Sequence, residues 1–318
     1  MCAGSAVSTH DSRFRKLRSP RYKQRIEQQQ FSLPGGRRLG FAEFGDLRGL
    51  PVVYFHGFPG SRLEARLIDS AAGELGLRII AIDRPGYGIS EAAPDRSIGQ
   101  LPEDVARLAD MLDLPRFSVI GVSGGGPYAL ACAACLEKRV SAAAIVCGLG
   151  WLHLPESTAG LLRRRRIGCA LARRFPWIVR PASALMARRI RKDLDGMFAD
   201  LTARISAADQ CALRRSELRE ALAGSFREAV REGSAGCARD LAFYLRAWDF
   251  RIEKIEAALT FWHGERDTIV PAAMSRQLAS RIPHAAERYL PEEGHYSLVA
   301  SHAPQILREL RDQSVSIS

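Results

Sequence analysis

Ser123 stands between Gly121 and Gly125, after the β-branched run Val119, Ile120 and Val122 and before an Ala-rich stretch compatible with a helix. A serine in a G-x-S-x-G spacing at a strand-to-helix turn can be a nucleophile. The turn is sharp, so the residues two before and two after the serine crowd each other, and glycine removes the clash. No lysine follows these glycines, which disfavours a Walker-type phosphate loop.

A serine hydroxyl attacks poorly near neutral pH unless a base takes its proton and a carboxylate orients that base. On such an elbow the acid and then the histidine follow the serine along the chain. Two later loops supply candidates. Residues 261–267 present Asp267, with Glu265 as an alternative acid, and residues 291–296 present His295. Both loops follow apolar runs, where open α/β sheets place their sites. His263 reads as a structural histidine at a strand end, and His302 as a surface residue of a terminal helix.

Attack on a carbonyl also needs donors for the developing oxyanion. The backbone N–H of Gly124 follows the nucleophile and is the first candidate. The second is Phe58, in the loop His56-Gly57-Phe58-Pro59-Gly60, since Pro59 has no N–H to give. His56 reads as a residue that holds this loop.

The elements that must position these groups follow from periodicity. Short apolar runs at residues 30–33, 39–44, 52–55, 78–82, 117–122, 142–147, 259–262 and 287–290 predict strands. Helical patterns between them indicate an α/β fold with a mostly parallel central sheet and flanking helices. From residue 151 to 255 the strand pattern stops and helical spacing takes over, as in Leu161, Leu162, Ile167 and Leu171. The chain therefore divides into a basic, disordered tail (1–29), a core (30–150 plus 256–318) and a helical cap (151–255).

Composition excludes some classes. No run of about 18 apolar residues is present to span a bilayer. The tail has no apolar centre and does not read as a secretory signal. Seven cysteines show no disulfide or zinc spacing, which fits a reducing compartment, the cytoplasm. Cys132 and Cys135 read as small core residues. The net charge of +11 is concentrated in the tail and in residues 160–192, which carry eleven basic and no acidic residues. A solvated outer face of cap helices accounts for that run; attraction of an anionic substrate or an acidic lipid surface is the functional alternative. No nucleic-acid-binding module is present.

Together HGFPG at 56–60, DRPGYGIS at 83–90, GVSGGGPYALACA at 121–133, FWHGERDTIVP at 261–271 and PEEGHYS at 291–297 resemble the α/β-hydrolase superfamily. The resemblance covers roughly residues 30–150 and 256–318. It implies an esterase-like or related hydrolase with the triad Ser123, Asp267 and His295; the expected reaction is cleavage of a small hydrophobic carboxylic ester, with no cofactor and no metal. Epoxide hydrolases and haloalkane dehalogenases are similar but use aspartate where this chain has Ser123. The same triad serves hydrolysis of a carbon–carbon bond in a β-diketone, or cofactor-free perhydrolysis. A silent ligand-binding protein on the same fold is the non-enzymatic alternative. Small Gly124 is expected to leave room beside the nucleophile, and Trp151, Leu152, Leu154, Phe243, Tyr244 and Trp248 are candidates to line an acyl pocket.

Overall fold

A computed structural model describes residues 26–316. The basic tail lies outside the described residues up to residue 25. Its last residues are built into the fold: Gln29 opens the first strand, and Glu27 pairs with Arg66.

Eight strands form one sheet: β1 (Gln29–Ser32), β2 (Arg38–Gly45), β3 (Leu50–Phe55), β4 (Leu77–Ile82), β5 (Phe117–Val122), β6 (Val140–Val146), β7 (Ala258–Gly264) and β8 (Ala286–Leu290). Their spatial order is β1-β2-β4-β3-β5-β6-β7-β8. The pairs β1–β2 and β2–β4 are antiparallel, and every later pair is parallel. All eight sequence-predicted strands are present. Their side chains alternate between two cores: Val53 and Phe55 enter one cluster, Val52 and Tyr54 the other. That period of two is what buries a strand on both faces.

Helices cover both faces. They begin with α1 (Asp69–Glu74), α2 (Leu101–Met111) and α3 (Gly126–Cys135). In α2, Leu101, Val105, Leu108 and Ala109 are buried, one stripe of a 3.6-residue period, while Glu103 and Asp104 favour its N-terminus. Helix α3 is apolar on all sides because it packs between β5, β6 and its neighbours. Cys132 belongs to this core, but Cys135, at the helix end, is exposed rather than buried.

Between β6 and β7 the described elements are helical: α4 (Arg163–Arg174), α5 (Val179–Lys192), α6 (Leu194–Thr202), α7 (Ala207–Ala212), α8 (Ser216–Ala229) and α9 (Ala235–Tyr244). Residues 151–162 are turns, so Leu161 and Leu162 precede the helix whose pattern they were expected to share. A third apolar cluster holds these helices together through Ile190, Phe198, Leu222 and Phe226, and Tyr87 joins it from the loop after β4. Two helices, α10 (Ala272–Ala279) and α11 (His295–Val315), flank the last strands. Among the described residues no helix is long and apolar enough to cross a membrane.

Candidate active site

Strand β5 ends at Val122, and Ser123 follows with φ of 54°, a left-handed conformation that serine seldom adopts. The glycines allow this. A Cβ on Gly121 would lie 2.6 Å from the Gly125 carbonyl oxygen, and one on Gly125 would lie 2.1 Å from that of Phe55. Helix α3 starts at Gly126 with Pro127 in its first turn, aiming its N-terminal dipole toward the serine.

Asp267 follows β7 and His295 opens α11. His295 Nδ1–H donates to Asp267 Oδ2 at 2.6 Å, which leaves Nε2 as the free nitrogen. Asp267 Oδ1 accepts from the N–H groups of Ile269 (2.7 Å) and Val270 (2.8 Å). Burial alone would raise the Asp267 pKa, but the His295 charge and hydrogen bonds from His263 and His295 hold it below the usual carboxylate range. Burial pulls His295 down, but the Asp267 charge outweighs it, so its pKa lies above the ordinary histidine value. Glu265 pairs with Arg276 and His302 with Glu293, whereas His263, bonded to Ser275 and the Val270 carbonyl, also brings Nε2 to 3.3 Å from Asp267 Oδ2.

Ser123 and His295 face one small chamber, together with Gly57, Phe58 and Glu64. Beyond Ser123 and Gly124 opens a cavity of about 550 Å³. Phe58 and Gly124 flank the serine; a Cβ on Gly124 would come 2.8 Å from Phe58 Cβ. The space beside Gly124 is not vacant, contrary to the expectation of extra room. The Tyr244 hydroxyl fills it, 2.7 Å from where a Cβ would be, and donates to the Gly124 carbonyl at 2.7 Å.

That tyrosine belongs to a buried network that sequence reasoning missed. Asp240 on α9 binds Arg84 at 2.7 Å, and Tyr87 donates to it at 3.0 Å; Tyr128 donates to it as well. Arg84 in turn donates to the carbonyls of His56 and Gly57, the residues just before Phe58. One face of the network therefore fixes the loop carrying Phe58, and the other touches the elbow at Gly124. From the other side Glu64 accepts from Gly57 N–H and the Tyr54 hydroxyl, both at 2.9 Å. Burial raises the Glu64 pKa. His56 Nε2 accepts from Arg84 N–H at 3.3 Å while Nδ1 meets the Gly57 carbonyl, so it braces this loop.

Asp209 was also missed. Its carboxylate accepts the N–H groups of His295 (3.0 Å), Tyr296 (2.7 Å) and Ser297 (2.9 Å), which are the unpaired donors of the first turn of α11. One side chain from α7 thus fixes the helix end that presents His295. Asp209→Ala leaves those buried donors unpaired. We expect a loss of about 1–3 kcal/mol in denaturant unfolding and a fall in kcat on the order of ten- to a hundredfold, with KM little changed.

Of the proposed acyl-pocket residues, Leu152 and Tyr244 line the cavity; Trp151, Leu154, Phe243 and Trp248 do not. Trp151 and Trp248 pack on each other, with ring centroids 5.5 Å apart, against the core. The walls come instead from Leu149, Leu161, Ala172, Val179, Met197 and Leu245. Arg165 is the one charged residue among the described lining. For a metal, Cys147, Asp267 and His295 are the grouping of ligand atoms found among the described residues. Two of those atoms are already spent on the Asp267–His295 hydrogen bond.

If His295 must be neutral to act as base, activity falls as pH drops through its raised pKa. We therefore expect the acid limb of the kcat/KM profile to lie above the ordinary histidine value. Asp267→Asn removes the charge that raises it, so the limb should move to lower pH while kcat drops roughly 10⁴-fold. An unmoved limb would assign the titration to another group.

Residues 51–300 match the family model described as the alpha/beta hydrolase fold. The chain belongs to that family and is a hydrolase of this fold class. It is 30% identical over 270 residues to a dihydrolipoyllysine-residue acetyltransferase component of an acetoin cleaving system from Pseudomonas putida, spanning 82% of this chain and 62% of that relative's length. Among solved structures, an esterase from Thermogutta terrifontis superposes with a TM-score of 0.65 at 21% identity, covering 90% of this chain and 98% of the esterase. A bromoperoxidase from Bacillus anthracis superposes with a TM-score of 0.67 at 18% identity, covering 91% and 99%. At such identities the two structures establish the shared fold alone.

Proposed function

We propose that the protein is a serine hydrolase that cleaves hydrophobic carboxylic esters through an acyl-enzyme. The supporting observation is the Asp267–His295 pair beside Ser123, at the mouth of an apolar cavity. In this reading His295 Nε2 takes the Ser123 proton as Oγ attacks the carbonyl carbon. The oxyanion rests on the N–H groups of Gly124 and Phe58, each worth about 2.7–4 kcal/mol of barrier. Protonated His295 then gives its proton to the departing alcohol. A water deprotonated by His295 attacks the acyl-enzyme and releases the acid. Apolar walls exclude competing water and bind the acyl chain.

A fluorophosphonate probe tests the nucleophile. Labelling is expected on the wild-type chain and not on Ser123→Ala; equal labelling of both would remove the assignment. Turnover of a β-diketone without any ester turnover would favour carbon–carbon hydrolysis instead. Tight ligand binding with no turnover, unchanged in Ser123→Ala, would favour a silent binding protein.

Arg165 adds a specificity expectation. Its NH1 donates to the Ile269 carbonyl at 2.8 Å, and no carboxylate pairs with it among the described residues. Burial lowers its pKa, so an anionic partner would be welcome there. Arg165→Leu should lower kcat/KM for an ester with a free carboxylate in its acyl part by roughly tenfold or more. Neutral p-nitrophenyl esters should change little in the same assay.

A further inference from the structure

Helices α4 and α5 each have two dissimilar faces. The inner face of α4 lines the cavity through Arg165, Gly168, Cys169 and Ala172, and α5 contributes Val179 and Ala182. The opposite face of α4 carries Ile167 and Leu171 beside Arg163, Arg164 and Arg174, all of them exposed. No residue of α4 is buried. The turn after it presents Phe175 and Trp177, and α5 presents Leu185 beside Arg188 and Lys192. Trp177 is 71% exposed and Leu185 69%, the two highest values among the exposed large apolar residues of the described chain. Six of the nine such residues fall between Leu162 and Leu185.

Charge and apolarity therefore coincide on the outer face of each helix. Residues 160–192 contain no acidic residue. Arg189 alone in this stretch has carboxylate partners among the described residues, Asp193 and Asp200. Arg165, Arg173 and Arg191 donate to backbone carbonyls, and Arg163, Arg164, Arg166, Arg174, Arg180, Arg188 and Lys192 are exposed to solvent. A solvated helix face has no use for Trp177 and Leu185 in water, and exposed apolar clusters of this kind mark interaction sites.

We infer that the outer face of α4 and α5 docks on an anionic lipid surface. Basic residues interleaved with exposed aromatic and aliphatic side chains are what an interfacial helix needs. The cations meet lipid phosphates, and the apolar side chains enter the headgroup boundary. A second copy fits less well, because two such faces would bring the exposed cations of both chains together. A nucleic acid would satisfy the arginines but leave Ile167, Leu171 and Leu185 without a partner. Docking would set the cavity wall directly behind the lipid-facing side chains, so a membrane-dissolved substrate would reach the cavity without crossing bulk water.

Flotation of the full chain with phosphatidylcholine vesicles, with and without phosphatidylglycerol, tests this at low and high salt. Binding is expected with the anionic vesicles alone and weaker at high salt. The double variant Trp177→Ser/Leu185→Ser should lower the partition coefficient by roughly tenfold or more, and Arg163→Gln/Arg164→Gln/Arg188→Gln by a similar factor. An unchanged melting temperature would show that these surface changes leave the fold intact. Absence of flotation with anionic vesicles overturns the inference. So does flotation undiminished in Trp177→Ser/Leu185→Ser, which would assign binding to another surface such as the basic N-terminal segment. A dimer that Leu185→Glu dissociates, in a chain that ignores vesicles, would assign the face to a second copy.

Discussion

Replacing Ser123 with alanine should lower kcat for a p-nitrophenyl ester by roughly 10⁴- to 10⁶-fold. The melting temperature should stay close to that of the wild type. The reason is local. Ser123 is at φ 54°, and its backbone is shaped by the contact of Gly121 with Gly125 rather than by its own side chain. Removing Oγ deletes the attacking atom and leaves that contact, the Asp267–His295 bond and the start of α3 in place. Binding should survive, since the cavity walls and the proposed oxyanion donors are backbone or remote side chains. A residual rate above the uncatalysed reaction is therefore expected. Ester turnover that persists within tenfold of wild type would mean that another group attacks.

The second large effect should be on stability. Arg84 and Asp240 are fully buried and face each other at 2.7 Å. Asp240→Ala leaves the buried Arg84 guanidinium without its counter-charge, with the His56 and Gly57 carbonyls among its remaining acceptors. Removing one partner of a buried pair costs about 3–5 kcal/mol, which for a chain of this size is a fall in melting temperature on the order of 10 °C. Tyr87 and Tyr128 lose their common acceptor at the same time. Tyr244→Phe separates positioning from stability. It deletes the hydroxyl that donates to the Gly124 carbonyl but keeps the Arg84–Asp240 pair. We expect it to cost only about 1 kcal/mol in denaturant unfolding while still lowering kcat, because Gly124 carries the first oxyanion donor of the proposed mechanism. A destabilisation by Tyr244→Phe as large as that of Asp240→Ala would show that the hydroxyl, not the ion pair, holds the network.

The network also changes how the insert is viewed. Asp240 and Tyr244 lie on α9 and Asp209 on α7, whereas Arg84, Gly124 and His295 belong to loops and helix ends around the sheet. The helices over the cavity are thus bonded to the elements that carry Ser123, Phe58 and His295. They shape the cavity with one set of side chains and position the site with another.

What the amino-acid sequence determined by itself is local. Strands announce themselves by short apolar runs, and the elbow around Ser123 by glycines at fixed spacing, because both depend on neighbours within a few residues. The order of Ser123, Asp267 and His295, each just past a strand end, was legible for the same reason: once the sheet forms, its strand ends share one edge. Only tertiary structure decided that Asp240 lies against Arg84, 156 positions away, and that Asp209 reaches the turn of His295, 86 positions away. A single aspartate on a helix carries no mark of its distant partner. Spacing could not reveal either that Tyr244 fills the space beside Gly124, that Trp151 and Trp248 pack away from the cavity, or that Trp177 and Leu185 face outward. An apolar residue at helical spacing looks the same in sequence whether it meets the core, a ligand or a lipid; which one it meets is set by how the helices pack.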